Sequence, residues 1–169
     1  MAIATRPDIS FAIGYLSRFL DRPTQKLWSA AMRVLKYLKG TLDLGLEYRS
    51  DSKDEFLFFS DADHGACPLS RKSVTGQLIL GASSPIFWAS SRQHVVSLSS
   101  TESELIAATD TAKSAVWTSG LLCELGYRLI PNLQVDNQST IRLVNNNQFH
   151  RRTKHIDVRH YFIRELLEN

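Results

Sequence analysis

The chain has 169 residues, of which 43% are hydrophobic and 22% charged, and it is long enough for one domain with an ordinary core. These proportions exclude a wholly disordered chain, a collagen-like chain and a coiled coil. No apolar run approaches the length that spans a bilayer, and the first residues lack the basic and apolar stretches of a secretory signal. Cys67 and Cys123 are too few for a disulfide framework, so we expect an intracellular protein with reduced thiols.

The net charge of +3 is unevenly distributed along the chain. Residues 1–49 carry a net charge of +4, residues 50–143 of −3 and residues 144–169 of +2. An acidic centre repels phosphate unless cations bind there, so the middle of the chain raises the question of a metal site. Solvated charged faces on an ordinary domain are the plainer interpretation.

The first 49 residues have the apolar spacing of two helices. Apolar residues between 9 and 20 form the stripe of a first helix, and Asp8 is suited to cap the start of that helix. Thr24 is the expected N-cap of a second helix over residues 25–39, and Gly40 is its expected stop. A helical hairpin of this size cannot bury its apolar faces alone. We therefore predict a helical hairpin at residues 1–49 that needs another part of the protein to pack on.

Residues 50–169 have the pattern of an α/β domain that follows a surface link at 50–54. Three strands joined by short turns are predicted first, and they suit an antiparallel meander. A long helix and a very short fourth strand follow, and a right-handed crossover makes that strand parallel to the first. The predicted strands cover 56–60, 74–80, 86–90 and 133–135; the long helix ends at Gly126, and shorter helices cover 139–144 and 154–167. Trp28, Trp88 and Trp117 lie on apolar stripes and are expected in the core.

Two aspartates stand at the expected ends of neighbouring strands. Asp61 follows the first strand and Asp136 follows the fourth, and adjacent strands lie about 5 Å apart. Carboxylates that close repel each other unless a cation bridges them, and hard divalent cations such as Mg²⁺ prefer carboxylate oxygens. Asp63 lies on the same face by alternation and is a rival to Asp61.

The first turn of the long helix supplies a third acid. Both Ser99–Glu102 and Thr101–Glu104 fit a capping box, so either glutamate could serve the helix end. We assign Glu102 to the cap, which leaves Glu104 for the site. Three clustered carboxylates can hold two metal ions, which clamp the attacking and leaving oxygens of an in-line phosphodiester displacement.

Five motifs follow one another along the chain. They are Phe59-Ser60-Asp61-Ala62-Asp63, Arg71-Lys72-Ser73-Val74-Thr75-Gly76, Leu98-Ser99-Ser100-Thr101-Glu102-Ser103-Glu104, Val135-Asp136-Asn137-Gln138-Ser139 and Arg152-Thr153-Lys154-His155-Ile156-Asp157-Val158-Arg159. In this order and spacing, they resemble the ribonuclease H region of copia-type LTR retrotransposon polyproteins. Residues 1–49 resemble the segment that connects this region to the reverse transcriptase, through Arg6-Pro7-Asp8-Ile9 and Leu35-Lys36-Tyr37-Leu38-Lys39-Gly40-Thr41.

The resemblance implies an RNase H-like fold and an endonuclease that hydrolyses the RNA strand of RNA–DNA hybrids with two Mg²⁺ ions, for which Mn²⁺ can substitute. Asp61, Glu104 and Asp136 match its catalytic, metal-binding acids. The implied partners are the hybrid and the reverse transcriptase portion of the same polyprotein, with no membrane. The implied location is the cytoplasm, within a virus-like particle, or the nucleus.

The chain departs from the family pattern at its C-terminal end. The pattern continues with a fifth strand and a last helix that carries a fourth catalytic Asp, and Asn169 precedes both. Asp157 belongs to an upstream motif, where a helix-start or packing role is expected. We therefore expect slow hydrolysis or none, and a catalytically inactive nucleic-acid-binding or interaction remnant is the competing hypothesis. An integrase-like nuclease is disfavoured because no glutamate follows Asp136 at a suitable interval outside the family's terminal-helix motif.

A basic stretch near the C-terminal end is the candidate nucleic-acid contact. Arg152, Lys154 and His155 are its central members, and they could bind backbone phosphates. A solvated basic helix face is an equally weighted interpretation of the same residues. Neither cysteine has the spacing of a metal ligand.

Overall fold

The computed structural model describes residues 2–49, 56–145 and 154–168. Within these residues, the chain forms a mixed sheet of four strands. Its strands are β1 (Leu57–Asp63), β2 (Val74–Gly81), β3 (Ser84–Arg92) and β4 (Asn132–Val135), in the order β3-β2-β1-β4. β1 to β3 form an antiparallel meander, and β4 pairs with β1 in parallel. This topology is an RNase H-like α/β fold, which confirms the predicted strand order and directions.

In the described part of the chain, five α-helices accompany the sheet, and none of them is long and apolar enough to cross a membrane. They are α1 (Ser10–Leu16), α2 (Gln25–Gly40), α3 (Ser100–Glu124), α4 (Gln138–Asn145) and α5 (Lys154–Glu168), and short 3₁₀ turns flank α1. The Thr24 hydroxyl accepts the backbone N–H of Leu27, as its predicted N-cap role requires. Gly40 was predicted to be the first residue after α2, but it is the last residue of the helix.

The core lies between the sheet and the crossover helix α3. Phe58 and Ile79 project from β1 and β2 and pack with Ala115 of α3. A second buried cluster joins α3 to α4 and α5 through Leu105, Ala108, Ala112, Val144 and Ile163. The first half of α3 is therefore enclosed on several sides, which fixes its position over β1.

The N-terminal hairpin contacts the opposite side of the sheet at β3. The indole N–H of Trp88 donates to the Ala2 carbonyl oxygen at 2.6 Å, and α1 contacts β3. Asp8 was predicted to cap the first helix, and this is wrong. Its carboxylate accepts bonds from the Arg6 guanidinium and, at 2.7 Å, from the Tyr37 hydroxyl, so it ties the chain start to α2.

Two of the three tryptophans expected in the core are exposed. Trp28 on α2 is 62% exposed and Trp117 on α3 is 68% exposed, whereas Trp88 is half-buried. Part of the apolar stripe of each of these two helices therefore faces solvent. The link predicted at residues 50–54 lies outside the described residues.

Candidate functional site

Three carboxylates, from β1, α3 and the residue that follows β4, meet where β4 ends. Asp61, Glu104 and Asp136 each offer an oxygen, and these oxygens all lie within 4.8 Å of one another. Asp61 and Asp136 are exposed, whereas Glu104 is only 6% exposed. These are the three acids that the sequence predicts as a group.

Asp61 reaches this position because β1 is longer than its parallel neighbour. β1 was predicted to end at Ser60, but it continues through Asp63, so Asp61 is a strand residue. β4 ends at Val135, which pairs with Ser60. Asp61 therefore lies one residue beyond the end of β4, where Asp136 leaves the sheet.

Glu104 is placed by the first turn of α3, whose capping is carried by its neighbour. The backbone N–H of Glu102 donates to the Ser99 hydroxyl at 3.1 Å, and the Glu102 carboxylate accepts the Leu98 N–H at 2.7 Å. This reciprocal pair confirms the assignment of Glu102 to the cap. Glu104 consequently points into the site.

The environment of Glu104 disfavours its charged form. Burial raises the pKa of its carboxyl to about 7, with further contributions from the charges of Asp61 and Asp136, while the backbone N–H of Ala62 opposes the rise. One of its oxygens, Oε2, is buried and has no hydrogen-bond partner among the described residues. An unpartnered buried carboxylate oxygen is costly unless a cation or a proton compensates it.

Asp136 is fixed between β4 and the capped start of α4. Asn137, the next residue, accepts the Thr140 backbone N–H with its side-chain oxygen at 2.9 Å. The Thr140 hydroxyl lies 3.4 Å from the Thr101 carbonyl oxygen, at the start of α3. The first turns of α3 and α4 are therefore adjacent, which relates Glu104 to Asp136.

A cavity of about 970 Å³ leads to the two aspartates from the sheet face that α1 partly covers. Asp61, Asp63 and Asp136 line it together with Gly76, Ser90 and Phe11. Asp63, the rival to Asp61, borders this cavity but is not a member of the carboxylate cluster. The contribution of α1 to the cavity was not predicted, because the sequence pattern does not show which sheet face a preceding hairpin covers.

The donor set suits a hard divalent cation. All three groups offer carboxylate oxygens, which Mg²⁺ and Mn²⁺ bind, and none of them is a soft ligand. The buried oxygen of Glu104 without a partner is the atom that such a cation would satisfy. The residues present therefore fit the metal that the sequence predicts.

Known proteins with similar sequences relate the chain to transposon polyproteins. The chain is 41% identical over 168 residues to the retrovirus-related Pol polyprotein from transposon TNT 1-94 of Nicotiana tabacum, across 99% of the chain and 13% of that relative. It is 36% identical over 167 residues to the corresponding polyprotein from transposon RE2 of Arabidopsis thaliana, across 98% of the chain and 12% of that relative. Over nearly its whole length, the chain is therefore homologous to a segment of transposon Pol polyproteins.

This Pol segment spans only 12–13% of the length of these two relatives. A shorter relative is the secreted RxLR effector protein 161 of Plasmopara viticola, which is 38% identical over 117 residues, across 69% of the chain and 82% of that protein. No protein-family model matches the chain, and no solved structure matches it either.

The predicted nucleic-acid contacts of the Pol segment fall mostly outside the described part. Arg152 lies outside the described residues, and so do the side chains of Lys154 and His155 at the start of α5. Arg159 and His160 continue this basic stretch, and both contact other parts of the fold. Arg159 lies 4.0 Å from the Asp110 carboxylate, and the His160 ring lies 2.8 Å from the Leu143 carbonyl oxygen.

Proposed function

We propose that this Pol segment is an RNase H-type endonuclease domain that hydrolyses the RNA strand of RNA–DNA hybrids. The observation that carries the proposal is the meeting of three carboxylates, with one oxygen of each within 4.8 Å of the others. One of the three is buried and has an oxygen without a hydrogen-bond partner among the described residues. The RNase H-like topology and the homology to transposon Pol polyproteins support the same function. The reverse transcriptase portion of such a polyprotein is the proposed partner in the same chain.

The three acids would hold the metal ions. When bound, divalent cations supply charge stabilisation for the attacking and leaving oxygens of a phosphodiester. Asp61 and Asp136 face the cavity, so they lie where a substrate phosphate can approach. Glu104 stands behind them in a position that excludes water, and its carboxylate anchors the site to α3.

The substrate strand would enter through the cavity beside β1 and β2. The pairing of Asp61 with Gly76 leaves no side chain on β2 beside the aspartate, so the backbone of a nucleic-acid strand can come close. The cavity lining near the aspartates is acidic, and phosphate binding there needs the cations. We propose that the basic stretch around Arg152, Lys154 and His155 contacts the hybrid away from the reaction centre.

An inactive nucleic-acid-binding remnant is the second candidate function. The observation that favours it is the size of the cluster, which contains three acids among the described residues. Two metal ions held by three carboxylates leave one ion with few protein ligands. Such a site would bind the second ion too weakly to support hydrolysis.

Cleavage of a labelled RNA–DNA hybrid separates the two candidates. The purified chain is assayed with Mg²⁺, with Mn²⁺ and with chelator, beside Asp136→Asn. Metal-dependent cleavage of the RNA strand that Asp136→Asn abolishes supports the nuclease. Hybrid binding by a folded chain that never cleaves, at any metal concentration, would establish the remnant instead.

A further inference from the structure

A buried polar network connects the start of α3 to the ends of β1, β2 and β3. Its members come from four separate stretches of the chain, and five of them are almost completely enclosed. These five are Ser73, Thr75, Gln93, Ser97 and Ser103, each at most 5% exposed. The side-chain oxygen of Gln93, Oε1, has no hydrogen-bond partner among the described residues, but the other side-chain polar atoms of these five residues are hydrogen-bonded. A buried network of this kind fixes a geometry.

Gln93 is the centre of the network. It follows β3, and its backbone N–H donates to the Ser73 carbonyl oxygen at 2.9 Å. Its side-chain amide donates to the Thr75 hydroxyl and to the Ser103 carbonyl oxygen, both at 3.0 Å. One side chain thus joins β2 to the first turn of α3.

A chain of hydroxyl groups holds the same turn from a second direction. The Ser73 hydroxyl accepts the Gly65 N–H at 3.0 Å and lies 2.7 Å from the Ser97 hydroxyl. The ring nitrogen Nδ1 of His64 lies 3.4 Å from the Ser97 hydroxyl and 3.5 Å from that of Ser103. The loop that follows β1 is therefore connected to the helix start.

The position of Glu104 depends on this turn. Its Oε2 atom has no hydrogen-bond partner among the described residues, so that side of the carboxylate is not held by a protein group. Ser103, the preceding residue, is held at its carbonyl by Gln93. A shift or rotation of the first turn of α3 would carry Glu104 away from both aspartates.

We propose that Gln93 is a positioning residue for the carboxylate cluster. By bonding both Thr75 and Ser103 it fixes the first turn of α3 against β2, and this keeps Glu104 within reach of Asp61 and Asp136. The inference rests on the proposed metal-dependent function, because it predicts an effect on metal affinity. It assigns Gln93 no contact with metal or substrate.

The test compares two glutamine-to-leucine variants of the full chain. Gln93→Leu removes the bridge at the helix start. Gln77→Leu is the matched control, because the Gln77 side chain accepts the Ser114 hydroxyl at 3.1 Å and so forms a bridge from β2 to α3 further along the helix. Mn²⁺ affinity is measured by electron paramagnetic resonance, and folding by circular dichroism and thermal unfolding.

We expect Gln93→Leu to stay folded and to bind Mn²⁺ about 10-fold more weakly than the parent chain, while Gln77→Leu keeps the parent affinity. Thr75→Val removes one of the two partners and should give a smaller loss, and it decides the matter if Gln93→Leu does not fold. Unchanged affinity in folded Gln93→Leu, or equal losses in both leucine variants, would overturn the positioning role. Absence of Mn²⁺ binding by the parent chain would overturn the proposed metal site and this inference with it.

Discussion

Replacement of Glu104 by glutamine should change how the stability of the metal-free protein depends on pH. The folded chain holds the pKa of Glu104 at about 7, against an ordinary value of 4.5. Between these values the folded state keeps a proton that the unfolded state has lost. The stabilisation of the folded state by the protonated Glu104 carboxyl is therefore complete below pH 4.5 and is lost as the pH rises through 7.

The size of this effect follows from the pKa difference. Each pH unit between the folded and unfolded pKa corresponds to about 1.4 kcal/mol, which sets a limit of about 3 kcal/mol. Asp61 and Asp136 are exposed, so water screens their repulsion of Glu104. We expect the parent chain to lose about 1–2 kcal/mol of unfolding free energy between pH 4.5 and pH 8, relative to Glu104→Gln.

Urea unfolding in the presence of chelator measures this difference. Parent and Glu104→Gln share every other titrating group, including Cys67, whose pKa is lowered to about 6 chiefly by the neighbouring Ser70 side chain. Subtracting the two pH profiles therefore isolates Glu104 together with its electrostatic coupling to Asp61 and Asp136. Parallel profiles from pH 4.5 to pH 8 would refute the claim that Glu104 is buried beside two like charges.

Bound metal should offset the loss of stability that ionisation of Glu104 causes at high pH. Mg²⁺ favours the ionised carboxylate, so it should stabilise the parent chain at pH 8 by about 1.4 kcal/mol at ten times its Kd. Glu104→Gln offers a neutral ligand and should gain less. Equal stabilisation of both proteins by Mg²⁺ would contradict a metal site at Glu104.

Three further predictions concern the hairpin, the cavity and α4. The Arg6 guanidinium lowers the pKa of Asp8 to about 2, so the ionised Asp8 should stabilise the folded state above pH 3.8, and this stabilisation should be lost as the pH falls from 3.8 to 2. Asp8→Asn should lower the unfolding free energy by about 1–2 kcal/mol at pH 7, as measured by urea unfolding. Gly76→Leu should fill the cavity beside Asp61 and lower hybrid cleavage at least 10-fold, with Mn²⁺ affinity unchanged in a titration. Asn137→Ala removes the bond to the Thr140 N–H and should lower the unfolding free energy by about 1 kcal/mol.

The order of the elements could be predicted because local patterns determine it. Alternation and short turns indicated the meander, and the crossover rule gave the parallel fourth strand, which pairs Ser60 with Val135. The capping sequence before α3 also separated Glu102 from Glu104 correctly. These signals lie within a few residues of the features that they predict.

The errors arose where one segment meets another that is distant in sequence. β1 continues through Asp63 because β2 pairs with it that far, and Val74 is the partner of Asp63. Asp8 binds Arg6 and Tyr37 because α2 folds back over it, so a helix cap was the wrong interpretation. No periodic pattern marks such contacts.

The network around Gln93 could not be predicted for the same reason. Its bonds join Gln93 to Thr75 and Ser103, which are 18 and 10 residues away. A single buried glutamine has no sequence signature, because glutamine is usually exposed. The three acids were predictable since they follow hydrophobic strands or open a capped helix.

The most direct test of the proposed function compares Glu104→Gln with Glu102→Gln in Mg²⁺-dependent cleavage of an RNA–DNA hybrid. The two variants make the same chemical change on the same helix turn, but only Glu104 belongs to the carboxylate cluster. The proposed function predicts that the parent chain and a folded Glu102→Gln cleave the RNA strand, while Glu104→Gln loses cleavage at least 100-fold. Equal activity of the two variants, or no cleavage by the folded parent chain, would contradict it.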